Sequence, residues 1–485
     1  MRKKGNIYDL IKSLSKSEKR YFKTSFSQKS INKNYIKLFD VIDKQTEYDE
    51  NEIRKIFKNE KFVKQLHVTK IYLTDLILKS LRNYHSNKSV SSNLINLLND
   101  IEILYEKELY DLAFYRIKKA ESLALNYEKL PYLLEILSWE RKLYRTKGEF
   151  LEREQNDLLK RESKTIRKID VLNNYWELVS KIYDYQNNNK PFKNNPLLKS
   201  KTAASTLQSK VLYYHILYTT NLMGNKPQTA LNSISELIDL LEKHPDRITD
   251  DPGPYATALS NKISFMLFNK EWEKIPELIK KVRDIPSKYN LNSKSKFTVR
   301  LWVRLFNIEL EMYRDKKEIE RGIVLIKEIQ EYLEKHKKAV SDEYLLLFNY
   351  QFAYIFFLKK DYSKSLFWLN EIMNRNFGIL HEDVQSYARI LGLIIHFELN
   401  NIIILRYAVT SCRRFLKKKK NQQEFESMLL RFFSRLSLAG KDEYQELFEN
   451  FYNNLFGSGE KKVSDNVLDY IDFKSWLERN IRKKQ

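Results

Sequence analysis

The chain has 485 residues and a formal net charge of +23, with 42% hydrophobic and 31% charged residues, a balance that describes a globular protein and excludes a disordered or fibrous one. Its single cysteine, Cys412, excludes an intrachain disulfide framework and any zinc site built on several thiolates. With only 10 glycines and 9 prolines, few turns are expected to need positive φ, which favours an all-α chain over a hairpin-rich sheet protein.

Residues 1–92 read as an N-terminal helical bundle. The opening MRKKGNIYDLIKS is basic, but its apolar stretch is too short and interrupted for a signal peptide or membrane span, so a cytoplasmic protein with no membrane partner is expected. Ile7–Leu14 is a short amphipathic segment, and Ser15 and Glu18 form a capping box that launches a helix through Tyr21, Phe22 and Phe26. Asn34–Gln45 follows, with Tyr35, Leu38, Phe39 and Ile42 on one face, and then a short helix with Ile53 and Ile56. A longer helix is expected over Lys61–Tyr84, and the polar stretch His85–Ser92 reads as a hinge.

Residues 93–456 carry a recurring pattern, most regular over Ser341–Met373. A helix over Asp342–Leu358 ends at Lys359-Lys360, and Asp361 caps a second helix bearing Tyr362, Ser365, Leu369 and Ile372. The same +3, +4, +3 spacing joins Tyr110, Ala113, Ile117 and Ala120, and again Ile319, Gly322, Ile326 and Ile329. It also joins Leu405, Ala408, Cys412 and Phe415, while Pro227 and Trp272 open two further copies. The second position is often small, as in Ala113, Ala230, Gly322, Ser365 and Ala408, which would let the preceding helix approach closely. Between Ala113 and Ala230 there is room for about three such intervals, with a turn at Gly148 and a loop over Gln186–Lys199. After Gly457-Ser-Gly459, residues 457–485 form a linker and a final capping helix, expected over Asp465–Asn480 with Val467, Leu468, Ile471 and Leu477 inward.

These residues resemble the tetratricopeptide repeat superfamily, in which a small residue opens the second helix and another sits twelve positions earlier. Ala353 takes that earlier place for Ser365, between Phe352 and Phe356. Tyr218, Ile263 and His396 stand there in other copies, and the interval of about 39 to 47 residues exceeds the usual 34 or so. The resemblance implies an all-α, right-handed TPR-like solenoid that acts as a non-enzymatic scaffold or adaptor, binding a peptide or helix on its concave face. The family's ligand-facing positions, fifteen and eleven before each small residue, fall on His215, Asn307, Glu311, Tyr350 and Tyr354, with Arg304 one turn before Asn307.

Chemistry-bearing motifs are scarce. Neither GxGxxG nor GxxxxGK[ST] occurs, and Gly457-Ser-Gly-Glu-Lys-Lys462 lacks the first glycine of a phosphate loop. No two of the seven histidines stand one helical turn apart as metal ligands do. His215 and His396 read as core histidines, Cys412 as a buried structural thiol, and His381-Glu382-Asp383 as a helix start. No catalytic residue, cofactor or metal is therefore expected. The +23 charge admits two readings: a compositional bias, or a partner carrying phosphates. Lysine, the dominant cation, is the weaker choice for bidentate phosphate recognition, and the run Arg413–Lys420 ends a helix, where cations suit exposed carbonyls. The alternative function is a nucleic-acid-binding regulator, with Glu50–Lys58 and Lys61–Tyr84 as a helix-turn-helix-like pair reading a groove through Lys61, Lys64, Gln65 and Lys70. A third reading, an RNA-binding solenoid, requires basic residues to converge on one concave stripe.

Overall fold

The computed structural model describes residues 7–26, 33–86, 88–148, 152–188, 195–293, 295–337, 339–378, 380–418, 424–456 and 471–482. Every regular element among them is helical, and successive helices pack largely as neighbours. The chain divides into two compact units, residues 1–226 and 227–485. The first takes in the expected N-terminal bundle together with the first helices that follow it.

In the first unit, α1 (Ile7–Ser13), α2 (Lys16–Phe26), α3 (Lys33–Lys44), α4 (Glu50–Ile56) and α5 (Leu66–Tyr84) enclose a core that includes Phe22, Phe39, Ile42 and Ile77. The capping box forms: the Ser15 N–H donates to the Glu18 carboxylate at 2.7 Å, and the Glu18 N–H donates to Ser15 Oγ at 3.2 Å. The helix expected from Lys61 starts instead as a 3₁₀ turn over Lys61–Gln65, none of which is buried, and α5 begins at Leu66, the first residue anchored in the core. The polar stretch read as a hinge ends α5 and caps α6 (Val90–Glu106), where Ser89 Oγ accepts the Ser92 N–H at 3.0 Å. α6, α7 (Tyr110–Asn126) and α8 (Leu130–Lys147) share a second core containing Leu94, Ala113, Ile117 and Leu137.

The region with room for further pairs holds one 37-residue helix, α9 (Glu152–Asn188), packed against α8 and against α10 (Leu207–Met223). Residues 149–190 contain neither glycine nor proline, so nothing breaks α9 before Pro191.

The second unit comprises α11 (Pro227–Glu242), α12 (Pro245–Asp250), α13 (Gly253–Phe268), α14 (Ile275–Lys288), α15 (Lys296–Asp315), α16 (Ile319–Lys335), α17 (Asp342–Leu358), α18 (Tyr362–Met373), α19 (Glu382–Glu398), α20 (Ile402–Lys418), α21 (Glu424–Leu436), α22 (Tyr444–Phe456) and α23 (Phe473–Arg482). The pairs α13/α14, α15/α16, α17/α18 and α19/α20 are packed hairpins. Within the stretch expected to hold the final helix, α23 begins at Phe473, with Asp472 Oδ1 accepting the Ser475 N–H at 3.1 Å. Residues 457–470, with the phosphate-loop-like fragment, lie outside the described residues.

The turns overturn one expectation. Among the described residues nine that are not glycine have positive φ, and eight of them end helices in one shared motif. At Lys360, for example, the Lys360 N–H donates to Phe357 O at 2.9 Å and the Asp361 N–H reaches back to Phe356 O at 2.9 Å. The same pair of bonds closes the turns at Glu108, Glu128, Asn225, Lys270, Asn290, Lys317 and Asn400. This is the Schellman helix ending, usually built on glycine. Glycine scarcity therefore did not mean that positive φ was scarce, because Lys, Glu and Asn fill the position.

Most of the small positions are fully buried: Ala113, Ala230 and Ser365 have no exposed surface. Ser365 Oγ donates to Ala353 O at 2.6 Å, tying α18 to the small residue on α17. At Gly322 the close neighbour comes from the following helix, not the preceding one: an added Cβ would lie 3.1 Å from Ile355 Cδ1. The Ala408 copy is displaced in register. Leu405, Val409, Cys412 and Leu416 are buried, while Ala408 and Phe415 are only half-buried.

Candidate functional site

A cavity of about 890 Å³ lies in the second unit between three consecutive first helices, α13, α15 and α17. α15 supplies a stripe of Arg304, Asn307, Glu311 and Arg314, spaced +3, +4, +3 so that all four lie on one side of the helix. α13 ends here in Leu267 and Phe268, whose ring is 76% exposed, and α17 contributes Leu347 and Tyr354. Lys270 and Lys317, both at positive φ in their turns, reach the rim.

Four of the six candidate residues thus converge: Arg304, Asn307, Glu311 and Tyr354. Arg304 is positioned by α13, where its guanidinium donates to Asn261 Oδ1 at 2.7 Å. Asn307 is held by α17, with Gln351 Nε2 donating to its side-chain oxygen at 2.8 Å, while Gln351 Oε1 is buried without a hydrogen-bond partner. Glu311 lies 3.6 Å from Arg314. Arg314 and Asp315 were missed in the sequence, although extending the α15 stripe by one turn finds them. Arg314 is nearly buried and bonds Asp315 at 2.7 Å. Burial opposes its charge, yet the two carboxylates raise its pKa above the ordinary arginine value.

Tyr350 does not line the cavity. It is 3% exposed, and its ring stacks on Tyr354 with centroids 6.4 Å apart, within the core that also holds Tyr387 and Leu391. Tyr354 itself lines the cavity but is only 5% exposed. Its hydroxyl accepts the Asp472 N–H at 2.9 Å, the Arg314 guanidinium lies 6.0 Å from its ring centre, and burial pushes its pKa up to about 12. This tyrosine anchors the start of α23. His215, on α10, is half-buried and lies in the first unit, whereas the other five lie in the second.

α23 is seated deeply. Trp476 packs among Phe397, Phe432, Phe433 and Phe448, and its indole N–H donates to Glu398 at 2.7 Å. Glu398 also accepts from Arg479 at 2.6 Å.

The groove-reader residues stand otherwise than expected. Lys61, Lys64 and Gln65 lie on the 3₁₀ turn, ahead of the helix. Lys70 is on α5, but its ammonium bonds the Glu50 carboxylate at 2.6 Å and Tyr48 Oη at 3.0 Å. Cys412 is 2% exposed, and burial pushes its thiol up to about 12. His396 is half-buried, with its Nδ1 lacking a hydrogen-bond partner, and burial lowers its pKa. His381 stands just before α19, 3.1 Å from Glu343, and Glu382 and Asp383 open that helix. Among the described residues no three His, Cys, Asp or Glu side chains gather as a metal site, and no helix is long and apolar enough to cross a membrane. Comparison of the chain with protein-family models, with curated proteins and with solved structures finds no match.

Proposed function

We propose that the chain is a cytoplasmic, non-enzymatic scaffold or adaptor built from TPR-like helix pairs, which holds an extended peptide against the first helices of its second unit. The observation that carries this reading is the cavity on α13, α15 and α17. It joins an exposed aromatic ring, Phe268, to a polar stripe of both signs, Arg304, Asn307 and Glu311. An apolar anchor beside a few placed polar groups is the usual composition of a recognition groove. The peptide it suits carries one large apolar side chain, for Phe268 and Leu267, flanked by charged residues. The intervals of 45, 47, 43 and 40 residues between Asn225, Lys270, Lys317, Lys360 and Asn400 support a repeat array.

The test is selection of a phage-displayed library of random 12-residue peptides on the immobilised full chain. Enriched peptides are expected to share an apolar position. They should lose about tenfold or more in affinity on Phe268→Asp, the change that about 1.4 kcal/mol brings, and also on Asn307→Ala. No enrichment over a blank surface, or equal binding to wild type and both variants, overturns the reading.

A further inference from the structure

In the first unit, α9 carries a cluster of cations beside a cavity of about 660 Å³, lined by Lys160, Lys164, Arg167 and Lys168 with the hydroxyls of Ser163 and Ser205. No acidic side chain among the described residues lines it. We infer that this groove binds the phosphodiester backbone of a nucleic acid strand.

The argument starts from how α9 spends its charges. Arg161, on another side of the helix, bonds Glu121 at 2.6 Å and the fully buried Glu140 at 3.0 Å, and pairs with Asp157 at 2.9 Å. Glu162 is taken by Arg141. Asp157 and Glu162 are thus consumed in a structural network with α7 and α8, while Asp170, further along α9, accepts from Asn174 at 3.4 Å. The four cations on the groove side are left out of it, and none forms an ion pair or hydrogen bond with a described residue. Like charges at i, i+4 and i+8 on one helix repel, so the row Lys160, Lys164, Lys168 costs stability unless something anionic lies along it.

Its geometry selects the anion. Four residues of helix rise about 6 Å, so the row offers cations at the spacing of successive phosphates along a strand. Lysine suits a row of single phosphate oxygens, where bidentate geometry is not demanded. The serine hydroxyls and the Asn156 amide, also at the groove, are common phosphate partners. No aromatic ring among the described residues lines the groove, so bases have no stacking platform there, and contact is with the backbone and independent of sequence. An acidic peptide presents its carboxylates on flexible side chains at no fixed spacing and fits the row less well.

The experiment uses the full chain at about 0.15 M salt, where charges beyond about 8 Å are screened. The probes are a fluorescein-labelled 20-nucleotide single-stranded RNA and a 20-base-pair DNA duplex. The fourfold variant Lys160→Glu, Lys164→Glu, Arg167→Glu, Lys168→Glu is compared with a control reversing four exposed lysines of the second unit, Lys243, Lys280, Lys327 and Lys335. Four phosphate contacts give a single-strand salt slope of about −3, or roughly fiftyfold between 50 and 200 mM. The α9 variant should bind at least about thirtyfold more weakly, with unchanged helical circular dichroism, and the control should stay within about fivefold. Absence of binding to either probe, equal losses in both variants, or poly-L-glutamate competing as well as unlabelled RNA overturns the inference.

Discussion

Glu50 shows what a single residue settles. It opens α4 and accepts from Lys70 at 2.6 Å and from Arg54 at 2.7 Å. Those bonds, the one from Lys70 foremost, hold its carboxyl at about 2 against an ordinary 4.5, with burial working the other way. The folded protein then binds this proton less readily than the unfolded chain, so the pair's contribution is complete above about pH 5 and is lost as pH falls towards 2. Glu50 is 36% exposed, so water and salt screen the pair, and about 1 kcal/mol is its expected size. Glu50→Gln should therefore lower stability by about that amount at pH 7 and by only about a quarter of it at pH 2.5 in urea titrations. An equal loss at both pH values would make the effect one of packing. The sequence shows Lys70 as one more cation on an amphipathic helix, and only the tertiary placement of Glu50 turns it from a groove-facing charge into a structural one. The same limit governs the tyrosine pair. The four-residue spacing of Tyr350 and Tyr354 was legible, but which ring faced the cavity depended on α19 and α23, far away in the chain.

At the scale of elements, the helices were legible because their apolar spacing repeats at 3.6 residues, and the Asp342–Leu358 bounds agree at both ends. The turns between them were not, since a Schellman ending leaves a clear signal only when its left-handed residue is glycine. Eight endings here use Glu, Lys or Asn at that position. The left-handed conformation costs an L-residue roughly 1–2 kcal/mol, less for asparagine, while glycine gives back part of the gain through unfolded-state entropy. Lys360, at φ 64°, should thus gain about 0.5–1 kcal/mol on Lys360→Gly. Asn400, at φ 57°, should gain less on Asn400→Gly. Midpoints of guanidinium unfolding check the order, and a loss at Lys360 would show that its side chain, not its backbone, matters there. α9 was hidden for a different reason. Its apolar pattern is diluted by charges, and the absence of any breaker between Gly148 and Pro191 says more about its length than periodicity does.

For the whole molecule, the division at 226/227 has a consequence for folding. Two large cores of described residues in the second unit draw their buried residues from Val299–Leu477. α23 belongs to the first of them, through Phe473, Trp476 and Leu477. A chain of about 250 residues buries roughly 70–75% of its unfolded surface, enough to fold without help. Residues 227–485 expressed alone should therefore unfold in one cooperative transition. Trp476, 4% exposed and ringed by phenylalanines, serves as the local probe. Its replacement by phenylalanine in the fragment removes the most buried of the four tryptophans that remain, Trp272, Trp302, Trp368 and Trp476. The blue-shifted part of the emission should disappear with it. If the fragment instead melts gradually, or Trp476 emits as if in water before denaturant is added, the second unit does not fold by itself. A fragment that folds, and binds the same peptides as the full chain, would assign the peptide cavity to a self-sufficient module.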